Sequence, residues 1–301
     1  VKILVTGGTG FIGSHLVDAL VARGDEVTVL DNLRRSQVNY LQPHLESGHA
    51  TFYQSDIRDY LAVERAMEGA SLVYHLAAQS NVMGAVVDYD YSFTTNVVGT
   101  FNMLKAASVH QVTRVVFSSS REVYGEPDHF PVSETAPLSP KNPYGASKMA
   151  GEAYCRVWPM AVGVDCQILR FTNVYGPRDR DRVIPIFLER VQAGQDLELY
   201  GGQQVIDFVW IGIAVQALLA AAVCPNDGPI NVGSGQGTRL AQLAQRIVAL
   251  AGSATHIEYL PARQVEVVRF IADVSRMNRK LGILPPADPL EHLADMMGHR
   301  E

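Results

Sequence analysis

The chain has 301 residues, 47% apolar and 19% charged, enough for one large α/β unit with an appended lobe. A net charge of −6 and a pI near 5.9 give no basic face for nucleic acid, and no apolar run approaches the roughly 20 residues that cross a membrane. Cys155, Cys166 and Cys224 stand far apart and outside any metal-ligand spacing, so they read as buried free thiols, with no disulfide framework and no metal site. No secretory pattern precedes the first strand, and the expected compartment is the cytoplasm.

The apolar run Ile3 to Val5 predicts a strand buried on both faces. Behind it Gly7, Gly10 and Gly13, in GxxGxxG spacing, open into a helix with Phe11, Ile12, Leu16 and Leu20 inward. Gly7 permits a tight turn, Gly10 lets backbone N–H groups approach a pyrophosphate, and Gly13 lets helix and strand pack closely. A second strand, Glu26 to Leu30, ends at Asp31, eighteen positions after Gly13 and close to the roughly 20-residue offset at which an acid reaches ribose hydroxyls. Asp31 argues for NAD because it would repel a 2′-phosphate; Arg34 and Arg35 keep NADP as the lesser reading.

Alternating patterns from Lys2 to about Trp158 predict a doubly wound parallel sheet, with strands near 2–6, 26–30, 50–54, 72–76, 113–118 and 164–169 and helices between them. Asp56, at the end of the third strand, either accepts from an adenine amino group or N-caps a helix beginning near Tyr60. The fourth strand ends in Leu76-Ala77-Ala78-Gln79, whose small residues let backbone run beside a flat cofactor, while His75 reads as a packed core residue. Asn96, inside the helical pattern Phe93 to Ala107, is either solvated or ties that helix to the neighbouring strand end. The fifth strand brings Ser118-Ser119-Ser120-Arg121-Glu122 to the same edge. Tyr144 and Lys148, four apart, share one face of a helix running to about Trp158. An ammonium near a phenol favours the phenolate, and the positive nicotinamide of oxidised NAD adds to the effect, so this tyrosine is a candidate base.

The set Thr6-Gly7-Gly8-Thr9-Gly10-Phe11-Ile12-Gly13, Asp31, Leu76-Ala77-Ala78-Gln79, Asn96, Ser118-Ser119-Ser120 and Tyr144-Gly145-Ala146-Ser147-Lys148 resembles the extended short-chain dehydrogenase/reductase family, most closely its nucleotide-sugar epimerases, dehydratases and decarboxylases. The resemblance continues through Arg170 to Arg178, Val183-Ile184-Pro185, Asn231-Val232-Gly233 and Ala272-Asp273. It implies a Rossmann-type NAD-binding domain over 1–170 and, over 171–301, mainly a nucleotide-sugar lobe with segments returning to the first domain. By that likeness Tyr144 takes the proton of a sugar hydroxyl, Lys148 binds the nicotinamide ribose and lowers the tyrosine pKa, and Ser120 holds the same hydroxyl. Cofactor contacts implied alongside these are Asn32, Asp56, Ile57, Asn96, Ser118, Phe171 and Val174. Asn173 and Arg263 are expected on the substrate diphosphate, Val183 over the nucleobase, and Arg178 and Arg182 near the substrate; Arg180 reads as solvated.

Three departures bear on the reaction. Ile206 stands where relatives usually carry an arginine, Gly212-Ile213 replaces a pair of acids, and Glu122 stands where simple epimerases have a small or apolar residue. Glu122 is therefore a candidate catalytic acid or base, as in the dehydratase and decarboxylase branches, although Arg121 cannot serve as their leaving-group proton donor. Arg121 either attracts a uronate or is solvated. The expected activity is a UDP-sugar 4-epimerase acting through a 4-keto sugar. A UDP-glucuronate decarboxylase or 4,6-dehydratase is the alternative, and an inactive nucleotide-binding protein the lesser one. A homodimer through helices near 91–109 and 145–158 is also implied.

Overall fold

The computed structural model describes residues 1–262 and 267–297. Six strands open the chain: β1 (Lys2–Thr6), β2 (Glu26–Asp31), β3 (Ala50–Gln54), β4 (Leu72–His75), β5 (Arg114–Ser120) and β6 (Asp165–Phe171). With Ile230–Val232 they form one seven-stranded parallel sheet, ordered Ile230–Val232, β6, β5, β4, β1, β2, β3. The chain leaves the middle of the sheet in both directions, as a doubly wound α/β fold does, and the order reverses beside β1.

Burial on both faces explains the near-continuous apolar strands. Ile3, Val5, Val27 and Val29 pack on one side against Leu16, Val17 and Leu20 of the helix Phe11–Ala22 and Ala214 and Leu218 of Ile211–Ala221. Leu4, Leu30, Val73, Val115 and Phe117 pack on the other against Val63, Met67, Met103, Leu104 and Cys155. A separate core of Ile184, Phe187, Leu197, Phe208, Leu243 and Ile247 fills the smaller lobe, while Ile211–Ala221 and Ile230–Val232 return to the main sheet. All three cysteines are buried free thiols.

Two local expectations change. The expected helix Phe93 to Ala107 is broken: Tyr89–Phe93 is followed by a π-helical turn, Thr94–Gly99, and then by the helix Thr100–Val109. The wider turn carries Asn96 inward, where its amide accepts from Gln79 N (2.7 Å) and donates to Gln79 O (3.0 Å) and Ser147 Oγ (2.9 Å). Asn96 thus ties helix to strand end and is not solvated. The helix Tyr60–Met67 is capped by Asp59, not Asp56, because Asp59 is the residue whose carboxylate reaches Leu61 N and Ala62 N.

His75 is a core residue, hydrogen-bonded to Thr6 Oγ1 (2.7 Å) and Thr100 Oγ1 (2.9 Å). Burial pushes its pKa down to about 3, with Lys148 adding to the effect. Below pH 6.5 the unfolded chain therefore takes up a proton that the folded chain refuses, and stability falls as pH falls towards 3. We expect the wild type to lose about 2 kcal/mol more than His75→Gln between pH 6.5 and 4.5. Denaturant titrations of both proteins at the two pH values measure it; parallel losses would remove His75 as the source.

Candidate active site

One cavity of about 800 Å³ runs along the carboxyl edge of the sheet and into the smaller lobe. The glycine turn forms its floor. Gly7 has φ +75°, and a Cβ there would stand 2.7 Å from Ala77 N; a Cβ on Gly13 would stand 2.1 Å from Gly7 O. Protein packing therefore accounts for Gly7 and Gly13. It does not account for Gly10, whose Cβ would meet only Gly7 O, at 3.3 Å, and which faces the cavity. The helix that starts at Phe11 has no side-chain cap and no acid in its first turn, so its N–H groups and dipole are left for an anion. These features fit a pyrophosphate.

The adenosine end fits as well. Asp31 accepts from Thr9 N (3.2 Å), Leu33 N (2.9 Å) and Ser36 Oγ (3.4 Å), which fixes the carboxylate at the end of β2. The two nearby arginines are turned to other partners: Arg34 lies over the Tyr91 ring and pairs with Asp88, and Arg35 reaches Ser80 and Asp181. Neither is arranged around a 2′-phosphate, which favours NAD over NADP.

Most of the residues singled out in the sequence line this cavity. Phe11, Ile12, Asn32, Ile57, Leu76, Ala77, Ala78, Gln79, Ser118, Phe171 and Val174 do so with the glycines and Asp31. Ser120, Glu122, Tyr144, Lys148, Asn173, Arg178, Arg182 and Val183 share it. Asp56 and Asn96 stand behind the lining. Asp56 is gripped by Arg58 (Nε to Oδ1 and Nη2 to Oδ2, both 2.9 Å) and by Asn32 Nδ2 (2.9 Å). Burial raises the Asp56 pKa, but the Arg58 bonds outweigh it and hold the carboxyl below the usual range. Asp56 thus orients Asn32, and Asn96 orients Gln79. Arg263 lies outside the described residues.

The chemistry gathers where β5 meets the helix Pro143–Val162. Asn142 caps that helix, accepting from Gly145 N at 2.9 Å, with Pro143 in the first turn. Lys148 is buried, donates from Nζ to Ser118 O (2.7 Å), and has its pKa pushed down to about 8 by burial. Its Nζ is 5.9 Å from the Tyr144 ring centroid. Burial pushes the Tyr144 phenol up to about 12; Arg182, a hydrogen bond with Ser120 and the charge of Arg121 oppose that rise, and Glu122 adds to it. The Lys148 ammonium is thus fixed by the Ser118 carbonyl within reach of the Tyr144 ring.

Glu122 is buried with both oxygens engaged: Oε1 by Arg121 Nη2 (2.9 Å) and Oε2 by Asn142 Nδ2 (2.7 Å). Arg121 also donates from Nε to Asn173 Oδ1 (2.9 Å) and is 13% exposed, so it is held in the cavity wall and not solvated. Arg178 is committed to Asp18 (2.8 Å) and lies over Tyr40, whose hydroxyl accepts from Arg180 (3.1 Å). Arg180 is thus held although exposed. Arg182 pairs with Asp179 (3.1 Å) beside Phe11.

Asn142 was missed in the sequence, although an Asn directly before a Pro at a helix start is a readable signal. Two departures also find a place. Ile206 lines the lobe end of the cavity with Phe208 and Leu240. Gly212 leaves room for the Trp210 indole, which a Cβ would meet at 2.9 Å and which stacks on His292 with centroids 4.3 Å apart.

A model of the NAD dependent epimerase/dehydratase family matches residues 3–233. The chain is 35% identical to the UDP-glucose 4-epimerase of Mycolicibacterium smegmatis over 97% of its own length and 96% of that protein. It is similar to the crystal structure of the Thermotoga maritima UDP-glucose 4-epimerase with UDP-glucose, at a TM-score of 0.93 and 34% identity, over 98% of this chain and 96% of that one. The Streptomyces venezuelae dTDP-glucose 4,6-dehydratase with NAD bound is similar at a TM-score of 0.93 and 31% identity, over 99% of this chain and 96% of that one.

Proposed function

We propose, given that this chain belongs to the NAD dependent epimerase/dehydratase family, that it is a 4-epimerase of UDP-linked hexoses such as UDP-glucose and UDP-galactose. The observation that carries this reading is the meeting of Ser120, Tyr144 and Lys148 in the same cavity as an uncapped, glycine-opened helix N-terminus. NAD, when bound, supplies the group that oxidises the sugar at C4 and reduces it again.

The side chains divide the remaining work. Ser120, beside Tyr144 in the cavity, holds the sugar hydroxyl against the phenol. Tyr144 Oη takes the hydroxyl proton as the 4-keto sugar forms and returns it after the sugar turns over. Lys148, anchored on Ser118 O, holds the ribose side of the cofactor and adds a positive charge to the site. Asn173 faces the diphosphate and Val183 the nucleobase.

Glu122 is held through both oxygens, by Arg121 Nη2 and Asn142 Nδ2, which suits a positioning role, and a dehydratase needs an acid beside it that Arg121 does not supply. The test is incubation of the purified protein with UDP-glucose, UDP-galactose and UDP-glucuronate. We expect interconversion of the first two, seen as a new anomeric signal, and no carbon dioxide from the third. Carbon dioxide release would assign a decarboxylase instead, and no turnover of any nucleotide sugar would overturn both.

The protein is also read as a cytoplasmic homodimer. Its thiols are free, and no helix among the described residues is long and apolar enough to cross a membrane. Val98 and Phe101 on one helical segment and Tyr154, Val157 and Met160 on another leave an apolar face open, with Met160 94% exposed. Sedimentation velocity is expected to give twice the 32.9 kDa chain mass, and Val157→Glu to give the single chain. A monomeric wild type at micromolar concentration would remove the dimer.

A further inference from the structure

We propose that Arg121 and Glu122 are positioning residues, a buried bridge that fixes the Asn173 amide on the substrate diphosphate and couples it to the helix carrying Tyr144. The proposal rests on the reading of the site as one for a nucleotide sugar. Each link is set by donor and acceptor chemistry. Arg121 has only donors, so its Nε–H at 2.9 Å fixes the Asn173 carbonyl oxygen towards Arg121 and turns the amide NH2 away from it. An NH2 suits a phosphate oxygen, whereas a carbonyl there would repel it.

The bridge continues without a break. Arg121 Nη2 meets Glu122 Oε1, Glu122 Oε2 accepts from Asn142 Nδ2, and Asn142 Oδ1 accepts from Gly145 N in the first turn of the helix on which Tyr144 sits. Glu122 and Asn142 are buried and Arg121 is 13% exposed, so water competes little for these bonds. The smaller lobe contributes Asn173 and the Rossmann side contributes Asn142. Seating of the diphosphate and placement of the phenol therefore share one set of hydrogen bonds.

The pair faces Tyr144 with opposite charges, among Arg182 from the loop before Val183, Ser120 from β5, and Lys148 from its own helix. Removing one charge moves the phenol one way, and removing the other moves it the opposite way.

The binding arm of the test uses the NAD-loaded protein and UDP as the probe, so it does not depend on which sugar is turned over; the kinetic arm uses UDP-glucose. Arg121→Gln is expected to weaken UDP binding at least tenfold in titration calorimetry. In an Asn173→Ala background the same change is expected to weaken it less than twofold, since the amide it positions is gone. Arg121→Lys keeps the charge but lacks the fork, and is expected to weaken binding as Arg121→Gln does. In the pH profile of kcat, the acid limb is expected to move to higher pH in Arg121→Gln and to lower pH in Glu122→Gln. Equal loss of UDP binding in both backgrounds would make Arg121 a direct ligand of the phosphate and overturn the proposal. So would wild-type UDP affinity in Arg121→Lys. Abolished turnover in Glu122→Gln with a wild-type UDP affinity would return Glu122 to proton transfer. A chain that binds UDP in this coupled way yet epimerises no UDP-hexose would sink the proposed activity and leave the bridge standing.

Discussion

Tyr144→Phe is expected to keep NAD bound and to lower the turnover of UDP-glucose about 10³-fold, the size of effect that loss of a positioned acid–base group produces. The ring remains, so the packing around the start of the Pro143–Val162 helix and the Lys148 bond to Ser118 O are untouched. Only the hydroxyl, beside Ser120 in the cavity, is lost. Burial pushes the phenol up to about 12 against the pull of Arg182 and Arg121, and activity of the wild type should rise with pH as the phenolate fraction grows. The positive ring of oxidised NAD lowers that barrier further. Kinetics at several pH values, with the nucleotide released on denaturation measured by absorbance, check both halves. Activity within tenfold of wild type, or a phenylalanine variant that still shows the wild-type acid limb, would exclude Tyr144 as the base.

The parts of this site that were legible in the sequence are those set by local geometry. Gly7 and Gly13 answer to atoms a few residues away or on the adjoining strand, and Tyr144 and Lys148 share a face because a helix has a fixed period. The inner strands β1, β2 and β4 were readable because burial on both faces leaves largely apolar runs, whereas the edge strand β3 is mostly exposed. The π turn at Asn96 was not, since one wide turn inside a long helical pattern leaves the composition unchanged. Nor were the partners of Glu122: sequence places it near the sugar, but only the fold brings Asn142 and the Asn173-bound Arg121 to its two oxygens. Asp207 shows the same limit. Its neighbours in sequence say nothing of the bonds it accepts from Ser234, Gly235 and Ala272, which pin two separate segments to it.

A second large effect falls on stability and follows from a buried ion pair. Glu152 and Arg170 are fully buried and doubly bonded, Arg170 Nε to Oε1 at 2.8 Å and Nη2 to Oε2 at 2.7 Å. Ser119 Oγ (2.6 Å) and Arg156 (2.5 Å) complete the carboxylate. From Arg170 the network passes to Tyr124 Oη (2.7 Å) and Glu134 O (3.0 Å), and Tyr124 reaches Asn231 Oδ1 (2.7 Å). Asn231 in turn donates to Val132 O (2.9 Å) and Asp273 O (3.3 Å). One ion pair therefore fastens the catalytic helix to β5 and β6 and to the segments at 132–134, 230–232 and 273 that lead towards the smaller lobe. Burial opposes the charge on Arg170, and Glu152 more than restores it. Truncating one partner of such a pair leaves the other charge buried and unpaired, a loss of about 3–5 kcal/mol. Glu152→Ala is accordingly expected to lower Tm by about 10 °C. Arg170→Met should cost less, because Arg156 and Ser119 still hold Glu152, and the two together little more than Glu152→Ala alone, because the second substitution removes the charge the first had stranded. Thermal unfolding of the three variants measures this. Additive losses would mean that Glu152 and Arg170 stabilise the fold through separate contacts, and a Tm within 2 °C of wild type in Glu152→Ala would mean that the pair contributes nothing to it.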